Sequence, residues 1–357
     1  MDFAEKLKQF SKQRDSTAAS GASTSFTFNQ SSPIPAPLNM SNKRKRSDTP
    51  PPHPSTLPQF KWPAPLSTKP SFLGIGAQKA GTTWLHDALA SHPKFFLPPI
   101  KEVHYFNRHH KRSNISWYAN HFGRATPTQT IGEITPCYSA LSLVEISRIY
   151  QTLGPNCKII FLARNIIERS YSAALMELRN NVNGLEPSCF TKESDYKNLT
   201  DCHPDRFDDA YFMGRFDHVD FVGRSDYATT LKNYISVFGK DNLFVGNFED
   251  IKLRPVELLA EIVEFLGEEK GGGGGEGEGE GEGEGEGEGE GEDDEGAIGN
   301  SNDIFYNDLK EKKNANTSKI PSNIRTSLLE KMHRVYDPLT ANFNKIIKEE
   351  LGLSWEL

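Results

Sequence analysis

Phe72-Leu73-Gly74-Ile75-Gly76-Ala77-Gln78-Lys79-Ala80-Gly81-Thr82-Thr83-Trp84-Leu85 decides the fold of this chain. The short apolar run at 72–75 reads as a buried strand. Gly76 to Gly81 reads as a turn. From Thr82 to Ala90, Trp84, Leu85, Ala88 and Leu89 recur at helical spacing, and His92-Pro93 stops the helix. A strand that turns through glycines into a helix leaves the helix's first N–H groups without partners. Together with the helix dipole they make a seat for an anion. Lys79 adds a point charge, and Thr82 and Thr83 add hydroxyl donors. The spacing is not the Walker form, in which Lys directly follows the second Gly, because Lys79 precedes Gly81 by two residues.

A second segment runs from Lys158 to Leu175, KIIFLARNIIERSYSAAL. Residues 158–163 read as the most apolar strand, Arg164 sits at its carboxyl end, and a helix over 166–179 carries Ser172. Ligands of parallel sheets bind at carboxyl ends of strands, and an Arg there offers a fork of donors to a phosphate. A nucleoside-triphosphate enzyme would want an Asp near a strand end to hold Mg²⁺. Further strands are expected at Glu102–Phe106, Thr130–Ile134 and Leu243–Phe248. Helices are expected at Ser116–Phe122, Leu141–Leu153, Tyr227–Phe238, Pro255–Leu266 and Asn323–Glu350, the last broken near Asp337-Pro338. Residues 180–214 read as a long polar loop. The alternation of strand and helix argues an α/β sandwich of three layers, a central parallel sheet with helices on both faces.

Around this core lie two tracts that cannot pack. Residues 1–68 are rich in Ser, Thr, Pro, Gln and Asn and read as a disordered tail. Its run Lys43-Arg44-Lys45-Arg46 reads as a solvated basic patch, with a nuclear localisation signal as the alternative. A Gly/Glu-rich insertion at 268–300 interrupts the domain expected over 69–357. The twelve acidic residues from Glu276 to Glu295 dominate the formal charge, which moves from −7 to +5 without them. A mildly basic body suits an anionic ligand. The four cysteines do not make a disulfide scaffold; Cys189 and Cys202, in one polar loop, are compatible with a disulfide and with two free thiols. No stretch reaches the ~20 apolar residues of a transmembrane helix, and the charged start MDFAEKLKQFSKQRD lacks a secretory core. These features alone give a soluble, cytoplasmic chain.

Lys101-Glu102-Val103-His104-Tyr105-Phe106 carries the catalytic expectation. On a strand, residues two apart share a face, so Glu102 and His104 would point together and form a candidate general-base pair.

The two anion-binding segments resemble those of sulfotransferases that use 3'-phosphoadenosine 5'-phosphosulfate (PAPS), and most resemble the glycan, heparan sulfate type. The resemblance covers Ser71 to Leu266 and a tail from Ile320 to Trp355. It implies a P-loop-like sandwich in which Lys79, Ala80, Gly81, Thr82 and Thr83 hold the 5'-phosphosulfate. Arg164 and Ser172 would hold the 3'-phosphate, and Trp84 would lie near adenine. It also implies Glu102 as the catalytic base, with Lys79 offsetting charge on the leaving group and His104 as partner or substrate contact. PAPS would be the co-substrate, no metal would be needed, and the acceptor would be a glycan or other hydroxyl or amine, with no nucleic acid partner. A Golgi lumen would be the family's compartment.

Gly132-Glu133-Ile134-Thr135-Pro136-Cys137-Tyr138 is similar to the family's acceptor-side segment, but Ile134 stands where that pattern has Lys. Arg112, Arg124, Arg179, Arg215 and Arg224 are candidates for an anionic acceptor and also ordinary surface charges. His109 and His110 extend a local histidine cluster with His104, at a spacing that matches no common metal site. Two other classes stay on the page, a P-loop kinase or phosphotransferase and a non-catalytic nucleotide-binding interaction protein.

Overall fold

The computed structural model describes residues 61–63, 68–181, 207–267 and 324–357. The N-terminal tail through Phe60, the Gly/Glu insertion, Cys189 and Cys202 lie outside the described residues.

Phe72–Gly76 (β1) is buried along its whole length, as a strand covered on both faces must be. It leads into Thr82–Ser91 (α1), which buries Thr82, Leu85, Ala88 and Leu89. A two-residue strand follows at Phe95–Phe96 (β2), then helix Ile115–Asn120 (α2) and strand Thr130–Ile134 (β3). Ser142 and Glu145 close a capping box at the start of Leu143–Leu153 (α3). Lys158–Ala163 (β4) is buried except at its first residue, and Ile166–Asn181 (α4) follows it. Asp209–Phe216 (α5), Val219–Ser225 (α6) and Tyr227–Phe238 (α7) lead to Leu243–Asn247 (β5). Asp250–Leu253 (α8) and Pro255–Phe265 (α9) come next, and Thr326–Glu349 (α10) ends the helical set.

The strands form one parallel sheet in the order β2-β3-β1-β4-β5. Leu73 of β1 stands opposite Glu133 on one side and Ile159 on the other. From β1 the chain passes to the edge strand β2, returns to β3 beside β1, and then crosses to β4 and β5 on the other side. The carboxyl ends of β1 and β4 therefore flank the point where the winding reverses, where open α/β sheets have their crevice.

Three expectations need correction. Glu102–Phe106 is not a strand. The carbonyl of His104 accepts from the N–H groups of Arg108 and His109, and that of Tyr105 accepts from His110, so the backbone turns back on itself. β2 holds the edge of the sheet instead, pairing Phe95 with Thr130, and Pro98-Pro99 follow it without donors for a ladder. The expected loop at 180–214 already contains the first turns of α5, capped by Asp208. The C-terminal helix is not broken at Asp337-Pro338; α10 runs through Pro338, burying Tyr336 before it and Phe343 after it. The Tyr336 hydroxyl donates to the carbonyl of Phe216 at 3.2 Å, anchoring α10 to α5.

Candidate active site

The loop from Gly76 to Gly81 is held from three directions. The N–H of Ala77 donates to the carbonyl of Leu162 on β4 at 2.9 Å. Arg164 Nη1 donates to the carbonyl of Lys79 at 3.1 Å, and Arg224 Nη1 donates to Gln78 Oε1 at 3.1 Å. Lys79 adopts a left-handed φ of 68°. Gly81 follows at φ 81°, where a Cβ would collide with Cδ1 of Ile251. Gly81 is also the N-cap of α1 and offers no side-chain cap, so the helix's first N–H groups face the crevice without a capping side chain.

Arg164 lies over the Phe248 ring at 4.5 Å and pairs through Nη2 with Glu168 at 3.1 Å. Its Nε is buried and has no hydrogen-bond partner among the described residues. An orphaned guanidinium donor beside uncapped helix N–H groups fits a ligand with anionic oxygens, such as a phosphate. Lys79 and Arg164, expected to share one ligand, are thus in contact. Ser172 is buried on α4, and among the described residues no side-chain hydrogen bond joins it to the loop. Ala80 and Thr82 are buried, and Thr83 is exposed. Trp84 is half-buried and packs against the core.

Lys101 was not among the expected site residues, yet its Nζ donates to Thr83 Oγ1 at 3.3 Å and approaches Thr82 Oγ1 at 3.5 Å. Burial holds its ammonium below the usual lysine range, opposed by the charges of Glu102 and Asp87. The helix start and the turn at 101–106 therefore form one site. Within that turn Glu102 and His104 do meet, by another route than a strand face. His104 takes φ 56°, and its Nε2 donates to Glu102 Oε2 at 3.1 Å. Its Nδ1 lies 3.3 Å from Asn107 Oδ1. A hydrogen bond with Cys137 and then the one with Glu102 push the imidazole pKa up to about 9, against partial burial and Arg108. The expected cluster of His104 with His109 and His110 does not form. The ring of His109 packs against Trp117 at 4.7 Å, and Cys137 is the third member beside Glu102 and His104.

Beneath this turn lies a buried carboxyl from the acceptor-side segment 132–138, to which the sequence alone assigned no role of its own. Glu133 on β3 accepts from the hydroxyls of Tyr118 at 2.6 Å, Thr135 at 2.9 Å and Tyr138 at 3.0 Å. Thr135 Oγ1 in turn accepts from the N–H of His104, and the Tyr138 hydroxyl from that of Phe106. Glu133 thereby fixes the turn at two backbone points. A Glu inside a short apolar strand was the available signal. Of the candidate arginines, Arg224 reaches the loop, Arg215 lies over Tyr211 at 3.8 Å, and Arg112 and Arg124 are exposed. The side chain of Arg179 lies outside the described residues.

Comparison with known proteins agrees with this geometry. Over 106 residues the chain is 40% identical to the membrane-associated sulfotransferase kil1 of Dictyostelium discoideum, covering 29% of this chain and 22% of that one. Over 205 residues it is 26% identical to the bifunctional heparan sulfate N-deacetylase/N-sulfotransferase 4 of Mus musculus, covering 56% and 22%. The chain thus matches about a fifth of the length of these curated relatives. A crystal structure of a sulfotransferase from Alicyclobacillus acidocaldarius superposes with a TM-score of 0.51 at 19% identity, over 80% of this chain and 98% of that one, a likeness of fold. The family model described as the sulfotransferase domain matches residues 69–337, and the chain belongs to that family.

Proposed function

We propose that this chain transfers a sulfuryl group from PAPS to a hydroxyl or amine of a carbohydrate acceptor. The observation that carries the reading is the bond from Arg164 to the Lys79 carbonyl. It supports a single ligand bearing anionic groups at two places, one over the start of α1 and one at the end of β4. A nucleotide with 5'-phosphosulfate and 3'-phosphate has that form. The carbohydrate acceptor is supported by the likeness to a heparan sulfate N-sulfotransferase. The catalytic unit is residues 69–357, with 268–300 as an insertion and 1–68 outside it.

In this reading Lys79, Ala80, Gly81, Thr82 and Thr83 hold the 5'-phosphosulfate, Arg164 and Ser172 the 3'-phosphate, and Trp84 borders adenine. The acceptor atom attacks sulfur in line as the bond from sulfur to the bridging phosphate oxygen breaks. Adenosine 3',5'-diphosphate leaves with that electron pair. Glu102 takes the acceptor's proton, with His104 holding its carboxylate in place. Lys79 and Lys101 offset charge gathering on the leaving phosphate, the role of fixed cationic donors in such transfers.

Calorimetry with adenosine 3',5'-diphosphate, ATP and 5'-AMP tests the donor site. Tight binding of the 3'-phosphorylated nucleotide alone is expected, whereas preference for ATP would make the chain a phosphotransferase. Transfer of labelled sulfate from PAPS onto a panel of glycans and small alcohols then tests the acceptor class.

A further inference from the structure

The group set to accept the acceptor's proton is also part of a compact group of metal-ligand atoms. One carboxylate oxygen of Glu102, one ring nitrogen of His104 and Sγ of Cys137 lie within 4.8 Å of one another, and all three residues are half-buried. Zinc bonds of ~2.0 Å to nitrogen and oxygen and ~2.3 Å to sulfur place ligand atoms roughly 3–4 Å apart, within reach of small side-chain rotations. No other such trio of His, Cys, Asp and Glu occurs among the described residues.

Two further features set this trio apart from a chance grouping. His104 Nδ1 faces Asn107 Oδ1, which can only accept, so the proton stays on Nδ1 when Nε2 gives up its own. Nε2 then turns a lone pair toward Glu102. An outer partner of this kind is what metal-binding histidines have. The ligands are also pinned. The N–H of His104 is tied to Thr135, and Cys137 sits in the 3₁₀ turn Pro136–Ala140, whose Tyr138 is bonded to Glu133.

We propose that Glu102, His104 and Cys137 bind a divalent transition metal of zinc's class through one oxygen, one nitrogen and one sulfur, and that its binding stops sulfuryl transfer. The sulfur selects zinc or cobalt over magnesium or calcium, which favour all-oxygen sites. Lys101 Nζ stands 4.0 Å from the other side of the Glu102 carboxylate, which disfavours any cation held by charge alone. Three protein ligands leave a fourth position for water. The metal ties up the carboxylate, and His104 and Cys137 release their protons to solvent as they bind. The binding half stands on the geometry alone; the inhibition half rests on Glu102 as proton acceptor in the function proposed above.

The full chain, stripped with a chelator, is titrated with Co²⁺ and followed by absorption. A thiolate-to-cobalt charge-transfer band saturating at one equivalent and displaced by Zn²⁺ is expected. It should vanish in Cys137→Ser and persist in the Cys189→Ser/Cys202→Ser double variant. Asn107→Leu, with all three ligands intact, should bind Co²⁺ about 10-fold or more weakly. Absence of the band, or its survival in Cys137→Ser, overturns the site. In parallel, Zn²⁺ should abolish transfer over the concentrations that fill the site, each variant being referred to its own metal-free rate, and Mg²⁺ should not. Cys137→Ser should need at least about tenfold more Zn²⁺. If the band is lost in Cys137→Ser but saturating Zn²⁺ leaves wild-type transfer intact, the inhibition fails and Glu102 fails with it as the base. A chain that shows the band and transfers no sulfate to any acceptor overturns the proposed function and leaves the metal site standing.

Discussion

Glu102 is held from both sides, by the His104 imidazole at 3.1 Å and the Lys101 ammonium at 4.0 Å. Glutamine keeps the shape of that side chain and cannot take a proton. Glu102→Gln should therefore lower kcat by about 10²–10⁴, the usual contribution of a positioned base. Affinity for adenosine 3',5'-diphosphate and the melting temperature should stay as in the wild type; unchanged turnover would remove Glu102 from the chemistry. Arg164 has two duties that one substitution can separate, since it grips the Lys79 carbonyl and presents an unpaired Nε. Arg164→Lys keeps the charge but loses the fork. We expect affinity for adenosine 3',5'-diphosphate to fall about 10- to 100-fold with little change for 5'-AMP. Equal weakening of both nucleotides would mean that Arg164 acts by shaping the loop and not on the 3'-phosphate. That Lys79, Glu102, His104 and Arg164 gather in one place was legible because each sits at a strand end, a turn or a short motif. The places of Lys101 and Cys137 were not, because they join this group only once the turn at 101–106 folds over the start of α1 and the end of β3.

At the scale of elements, the start of α1 depends on one glycine. Gly81 combines a positive φ with close approach to Ile251 and to the Phe248 ring, 3.3 Å from where a Cβ would lie. Gly81→Ala should cost about 2–4 kcal/mol, part backbone strain and part overpacking. Urea unfolding measures the loss, and an undiminished midpoint would show that the loop relaxes freely. The same physics explains which elements could be read in advance. β1, β3, β4 and β5 are apolar runs bounded by turn residues, and α3, α7 and α9 carry clear caps or stops. The segment 102–106 misled because burial does alternate over its first four residues, with Val103 and Tyr105 inside and Glu102 and His104 half-exposed, before Phe106 is buried as well. That pattern came from a turn packed on the core and not from a ladder. β2 has two residues, too few for any period to show. Pro338 marked a break that tertiary packing overrides, since α10 buries apolar side chains on both sides of it.

For the whole molecule, the informative group is Glu133, which lies 1% exposed in the sheet and joins α2, β3 and the turn at 101–106. Burial pushes its carboxyl from 4.5 up to about 7, against the three hydroxyl donors that favour the charged form. The folded protein therefore keeps this proton over a range of pH in which the unfolded chain has released it. Where the native state binds more protons, stability falls as pH rises. The stability tied to Glu133 is fully present below about 4.5 and is lost as pH climbs through about 7. A shift of that size corresponds to ~3 kcal/mol. Glu133→Gln carries no titrating group and still offers a carbonyl oxygen to the tyrosine hydroxyls. Unfolding free energies of both proteins at pH 5, 6.5 and 8 should therefore diverge, wild type losing ground to the variant by about that amount between the extremes. A difference that stays constant across the range would mean that Glu133 ionises at its ordinary value. The polar network would then hold a carboxylate, with a fixed negative charge directly beneath the turn that carries Glu102.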